Sequence, residues 1–366
     1  MKLIKPSFEI KEQESGHAGL IKHIEWVGRH CYKSLDKITE DSAEKFVDMI
    51  TNRGHTAMLE HGTVYLRYDF KANDDSNTVA YRLWSKYNEN QYSEAIQAQP
   101  VPRVPDGFVA ITTNYRVLLQ NGWLDDLKYL CEPTEYHVKR ITVKFICDRG
   151  VSHEFVRHRV FSFAQESTRY CNYSKNKFNN ELTFVIPCWI ELPEGHISSE
   201  EFYIHEQRQG IATRVFLNNL YWAESNYLDL ISQEWKPQQA RAVLPNSLKT
   251  ELIMTGTIEQ WEGFFKLRCA KDAHPQAREL AIPLREEFTK REYIKQNLIM
   301  EYYNKQSVSD ELKKYDYLAK ESDFIEVTEW HNGEGWDITI NDRVISLTYG
   351  QLEAIKYLIK SLDLHK

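Results

Sequence analysis

The sequence predicts an α+β fold, an antiparallel sheet packed with long helices, and three observations carry that reading. Alternating or β-rich runs at 63–68, 141–146 and 182–186 have the period and composition of strands. Between and after them lie segments of helical period, the longest at 198–233. No Gly-x-Gly-x-x-Gly motif is present, so a parallel dinucleotide-binding sheet has no support.

Composition narrows the class. A chain of 366 residues holds one large or two ordinary domains, and 42% apolar with 27% charged residues is the composition of a soluble globular protein. With 46 basic against 53 acidic side chains the net charge is −7, which argues against a general nucleic-acid or anionic-membrane binder. Residues 1–6 run into Glu9, Lys11 and Glu12 without the apolar core of a signal peptide, and the longest apolar run, 184–190, contains Pro187 and reads as a buried strand. The expectation is a cytoplasmic protein with no membrane partner. Cysteines 31, 131, 147, 171, 188 and 269 include no Cys-x-x-Cys pair, so reduced thiols are expected rather than a disulfide framework or zinc knuckle.

In order along the chain, helix signals dominate the first sixty residues. A helix at 42–50 puts Phe46, Met49 and Ile50 on one face, and Gly54 stands where its C-terminus should end. The polar loop 55–61 then joins it to the strand at 63–68. Residues 71–140 combine polar turns at 73–77, a connector with Pro100, Pro102 and Pro105, and a short helix at 115–119; they read as an elaboration of the same domain. The strand at 141–146 leads through Asp148-Arg149-Gly150 into a helix starting near Ser152 that carries Arg157, His158 and Arg159 toward its end. After the strand at 182–186, the helix at 198–233 offers Phe216, Leu217, Leu220, Tyr221 and Tyr227 to the core. Pro237 opens a short helix that stops before Pro245. Thr257 and Gln260 have capping-box spacing at the head of a helix reaching Arg268, and a last helix covers 275–291. The tail reads as a β-β-α appendage, a hairpin of 324–330 and 336–340 followed by a helix at 348–362. The chain therefore divides into a domain at 1–312 and an extension at 313–366 of no evident chemistry.

The segment from Arg157 to Tyr170 is the richest in chemistry. Three successive residues cannot share one helix face, so Arg157, His158 and Arg159 offer anionic contacts in at least two directions. Arginine forks suit phosphates and planar imide edges, and Ser167 and Thr168 beside Arg169 could complete a phosphate cradle. A surface ion-pair cluster is the plain alternative.

Four ordered motifs shift that balance. Arg157-His158-Arg159, seven residues and Ser167 are preceded by Gly54-His55, four residues and Glu60-His61. They are followed by Ala240-Arg241-Ala242-Val243-Leu244-Pro245, then by Leu267-Arg268 and His274-Pro275-Gln276. Together they resemble the flavin-dependent thymidylate synthases (ThyX family). The resemblance implies that family's fold, a homotetramer with shared active sites, and reductive methylation of dUMP to dTMP. Methylenetetrahydrofolate would give the carbon, FAD would carry the hydride and NADPH would reduce the flavin.

The resemblance also implies roles. Arg268 would stabilise negative charge on the uracil imide as the catalytic residue, and nucleotide contacts would come from Glu154, Arg157, Gln165, Glu166, Ser167, Thr168, Arg169, Arg241 and Arg268. FAD and folate contacts would come from His55, Glu60, Arg157, His158, Arg159 and His274, with no metal. Ser167 is assigned to binding rather than to nucleophilic attack. Where the family usually has Asn-Glu after the first signature serine, this chain has Ala164-Gln165 followed by Glu166. Two rivals remain. Phe161, Phe163 and Tyr170 interleaved with the cations suggest a single-stranded nucleic-acid module, and His55, Glu60 and His61 suggest a metal hydrolase, although histidines six positions apart suit that poorly.

Overall fold

The computed structural model describes residues 1–71, 76–98, 106–175, 178–198, 210–294, 325–329, 335–340 and 343–348. Its contacts divide into a unit of residues 1–294 and a unit of residues 295–366.

The first unit opens with β1 (Lys2–Ile4), β2 (Ser7–Lys11), α1 (Gly16–Tyr32), α2 (Ser42–Asn52) and β3 (Thr63–Lys71). Next come α3 (Ser76–Asn88), β4 (Glu94–Ala98), β5 (Asp106–Asn114), α4 (Tyr115–Asn121), β6 (Arg140–Asp148), α5 (Arg149–Phe155) and β7 (Ser162–Gln165). It ends with β8 (Thr183–Val185), β9 (Gly195–His196), α6 (Ile211–Ser232), α7 (Pro237–Ala240), β10 (Lys249–Thr257), α8 (Ile258–Arg268) and α9 (Pro275–Lys290). The α+β expectation holds.

The sheet that positions the site has the order β2-β6-β10-β7 and is antiparallel throughout. Its centre is the nine-residue register of β6 with β10, from Lys249 opposite Asp148 to Thr257 opposite Arg140. Helices α5, α8 and α9 cover it through Phe145, Phe155, Trp261, Phe264 and Phe288, all fully buried. Trp261 also donates from Nε1 to the Ile141 carbonyl at 3.1 Å, so its one polar atom is satisfied inside this core. Gly256 is required here because a Cβ would stand 2.5 Å from the Phe161 ring. A second sheet, β3-β5-β4, packs with α1, α2 and α3 around Ile24, Ile50, Leu66 and Ile111. The third, β8-β1-β9, lies under α6.

Local signals explain the boundaries. Helix α2 ends as expected, with Gly54 at φ 71° and the His55 N–H returning to the Ile50 carbonyl at 2.9 Å. The Thr257–Gln260 capping box forms at the head of α8. The stripe on α6 is core, with Leu217, Leu220 and Tyr227 buried.

Several expectations need correction. The chain begins with β1 and β2, three- and five-residue strands that depend on distant partners and carry almost no local signal. The β1–β8 pairing is parallel, an exception to the antiparallel pattern. Helix α5 starts at Arg149, because the Asp148 side chain caps the Val151 N–H at 2.6 Å, and stops at Phe155. Arg157, His158 and Arg159 therefore occupy the turn after the helix, not its last residues. Helix α6 starts at Ile211 after Gly210, and Gly195–His196 is a strand. The run 184–190 is strand only to Val185, with Trp189 exposed.

In the second unit β11 (Ile325–Glu329), β12 (Gly335–Ile340) and β13 (Arg343–Thr348) form an antiparallel sheet in that order. The predicted hairpin is present, but a third strand follows it, so Thr348 ends a strand instead of opening a helix. The rest of the predicted helix at 349–362 lies outside the described residues, as do 73–75, the prolines at 100–105, 199–209 and the charged stretch 313–323. Among the described residues no helix is long and apolar enough to cross a membrane.

Candidate active site

The last turn of α8 delivers Arg268 to the end of α5 and the turn behind it. Its Nε donates to His158 Nε2 at 2.9 Å, Nη1 to Glu154 Oε2 at 2.8 Å and Nη2 to the Glu154 carbonyl at 2.6 Å. A guanidinium has five N–H groups, so this clasp uses three and leaves one on each terminal nitrogen. Accepting from Arg268 requires a neutral His158. Burial, then the Arg268 charge, push the imidazole down to about 4 against the pull of Glu154. Phe264, whose ring centroid is 5.0 Å from that of His158, backs the ring from the core. Arg157 stands 3.8 Å from Glu154 and is largely exposed, and Arg159 is exposed.

Edge strand β7 runs directly into the signature serine. Gln165 donates to Ser152 Oγ at 2.9 Å and to Thr250 Oγ1 at 3.2 Å. The Ser167 N–H donates to the Cys31 carbonyl at 3.2 Å, and the Cys31 thiol donates to the Gln165 carbonyl at 2.9 Å. The C-terminal turn of α1 thus holds the segment on both sides of Glu166. Thr168 is buried and accepts from Arg241 Nη1 at 3.3 Å. These two residues, with Arg149, Gln238, Ala242 and Leu244, line an open cleft of about 400 Å³. Arg169 is exposed, its guanidinium 5.5 Å from the centroid of the Tyr170 ring.

Glu166 points elsewhere. Its buried carboxylate accepts from Tyr173 Oη at 2.9 Å and Lys249 Nζ at 2.8 Å, with Lys33 Nζ at 3.6 Å. Lys249 also pairs with Glu251 at 2.8 Å, and Lys33 pairs with Glu251 as well. Burial would raise the Glu251 carboxyl, but the two ammonium groups outweigh it and hold it down to about 2. Burial likewise opposes the Lys249 charge, and Glu166 and Glu251 prevail and raise its pKa.

Upstream, His55 Nδ1 meets Tyr32 Oη at 2.6 Å, and the Tyr32 ring centroid lies 6.2 Å from that of Tyr170. Tyr32 thus connects the Gly-His motif to the signature segment. Glu60 pairs with Arg116, and its carbonyl accepts from Arg140 at 3.1 Å. His61 is buried against Thr255 Oγ1 at 2.8 Å. His274 precedes α9, its ring centroid 6.0 Å from that of Trp189.

The structure therefore joins Arg268, Glu154, His158 and Arg157 in one cluster, and Thr168 with Arg241 in another. Sequence reasoning gave no role to Arg149, Lys33, Lys249 or Tyr32; a lone basic or aromatic residue at the end of a strand or helix carries no local mark of its partners. Phe161 is buried and Phe163 half-buried, which leaves Tyr170 as the exposed ring of the three. His55, Glu60 and His61 each face a different partner, and no group of metal ligands occurs among the described residues.

Comparison with known proteins adds the following. Residues 131–291 match the family described as Thymidylate synthase complementing protein. The flavin-dependent thymidylate synthase of Pyrococcus furiosus is 32% identical over 149 residues, 41% of this chain and 54% of that protein. That of Corynebacterium glutamicum is 31% identical over 140 residues, 37% of this chain and 51% of its own length. The chain thus spans about half the length of the relatives it matches. The crystal structure of a UMP/dUMP methylase PolB from Streptomyces cacaoi bound with 5-Br UMP aligns with 79% of this chain and 92% of its own, at 13% identity and a TM-score of 0.36, too distant to bear on the fold. The stretch matched by the family model takes in Arg157 to Tyr170, Arg241 and Arg268, and so covers both side-chain clusters described above.

Proposed function

We propose that this chain converts dUMP to dTMP, with methylenetetrahydrofolate as one-carbon donor, FAD as hydride carrier and NADPH as its reductant. The observation that carries the reading is the clasp on Arg268, a guanidinium oriented by Glu154 and neutral His158 with an N–H left on each terminal nitrogen. Such a fork matches the N3 and O4 edge of uracil. C5 becomes nucleophilic as negative charge develops on that edge, and a preoriented cation lowers the barrier most where the charge appears. The nucleotide phosphate belongs with Arg241 and Thr168, Ser167 and Arg169 flank that site, and Glu154 and Arg157 belong with the nucleotide beside the clasp.

The residues present fit a flavin dinucleotide: Arg157 and Arg159 are exposed cations suited to a pyrophosphate, and Tyr170 and His55 offer ring faces beside Tyr32. When bound, that group supplies the hydride, while the protein binds, orients and excludes water. His274 is assigned to the same cofactor side. The function is assigned to the domain at 1–312, in a cytoplasmic homotetramer. Ile211, Val215 and Trp222, exposed along one face of α6, support association of copies.

The test is a visible absorption spectrum of the purified protein, followed by anaerobic NADPH and then dUMP. A flavin band that bleaches, faster or further with dUMP, supports the reading. A colourless protein that neither takes up FAD nor responds to dUMP overturns it.

A further inference from the structure

We infer that Arg149 is a second phosphate-binding arginine, acting with Arg241 so that their cleft takes the dianionic 5′-phosphate of the nucleotide. This rests on the nucleotide reading above and adds a residue that no motif supplied.

The first argument is charge. Arg268 and Arg157, near the uracil edge, share Glu154, and Arg116 and Arg29 are held by Glu60 and Glu25. Among the described residues neither Arg149 nor Arg241 has an acidic partner, yet both line the same cleft of about 400 Å³. Two uncompensated guanidinium groups in one recess match the two negative charges of a phosphate monoester near neutral pH. Mutual repulsion of the two cations is relieved when that anion enters.

The second argument is placement. The Arg149 N–H donates to the carbonyls of Asn246 at 2.8 Å and Leu248 at 3.1 Å, and the Gly150 N–H adds Asn246 at 3.3 Å. The segment that accepts these bonds begins five positions after Arg241, whose own carbonyl accepts from the Leu244 N–H at 3.1 Å. The two arginines are thus mounted on backbone segments bonded to each other, which lowers the entropy lost on binding. Thr168 supplies the polar floor: its Oγ1 accepts from Arg241, and its own O–H remains to donate to a phosphate oxygen. Arg169, the other arginine expected at the phosphate, is not among the residues lining this cleft.

The experiment is calorimetric titration of the full chain and of Arg149→Gln and Arg149→Lys with dUMP, deoxyuridine and inorganic phosphate. Losing a charge-assisted fork should weaken dUMP binding about tenfold or more in R149Q and remove competition by inorganic phosphate, while leaving deoxyuridine affinity as it was. R149K, which keeps the charge without the fork, should fall between; it carries the test if R149Q does not fold. Unchanged dUMP affinity in R149Q, or equal losses for dUMP and deoxyuridine, overturns the assignment. Arg149-dependent phosphate binding without dUMP methylation would remove the proposed reaction and keep the anion site. A wild-type chain that binds neither dUMP nor phosphate removes both.

Discussion

Gln276 Nε2 donates to Asp148 Oδ2 at 2.6 Å, joining the first turn of α9 to the residue that caps α5. The other carboxylate oxygen holds the Val151 N–H, so both oxygens of a buried aspartate are satisfied. This gives the glutamine of the His274-Pro275-Gln276 motif a physical role: it fixes the start of the helix that leads to Glu154 and the Arg157–Arg159 turn. Gln276→Ala leaves one buried oxygen unpaired and should cost about 1–3 kcal/mol in urea unfolding. Gln276→Glu places two carboxylates together and should cost more; equal stability of all three proteins would refute the linkage.

Arg268→Ala should lower turnover of dUMP about a hundredfold or more, the scale of losing one preorganised donor. The far-UV spectrum and melting temperature should stay close to wild type, since the side chain stands at the rim of the core and His158 keeps its packing against Phe264. Arg268→Lys should not restore activity, because a single ammonium cannot hold His158, Glu154 and a planar edge together. Turnover unchanged in R268A would take the residue out of the mechanism.

Much of this arrangement was legible in the sequence where the signal was local. The capping box at Thr257, the Gly54 stop and the strand at 141–146 are each written within a few residues, and each formed. The α5 boundaries have no such local mark, because their determinants are a cap at Asp148 and a partner 128 residues away at Gln276. Strands β1 and β2 have the same character, since pairing with β8 and β6 creates them. At the site, the family resemblance points to Arg268, and the polar pair Ser167–Thr168 beside Arg169 to an anion site, but neither gives their contacts. The buried partners of Glu166, Lys33 just after α1 and Lys249 on β10, are far apart in the sequence.

The Lys33, Lys249, Glu166 and Glu251 cluster is balanced, two cations against two carboxylates. Removing one member leaves an uncompensated buried charge, so Lys249→Met or Glu166→Gln should cost about 3–5 kcal/mol in denaturant unfolding. The Lys249→Met/Glu251→Met double variant restores balance and should lose less than the sum of its single variants, with a coupling of about 0.5–3 kcal/mol. Strict additivity in that cycle would show that the four groups do not act as one network.

Acid should unfold this protein through histidines as well as carboxylates. His23 and His61, buried and joined through Thr142 and Thr255, are pushed down to about 3 by desolvation first and by neighbouring positive charge second. In the unfolded chain they titrate at the ordinary 6.5. Between those values the unfolded state alone binds the protons, so stability is full above pH 6.5 and falls as pH drops toward 3. Each group contributes a slope of about 1.4 kcal/mol per pH unit in that window. Urea midpoints measured from pH 7 to pH 4 should therefore show a shallower decline in His61→Asn than in wild type, by about one proton. An identical slope in the two proteins would mean that His61 is already protonated in the folded chain, or exposed to water, and would contradict its burial against Thr255.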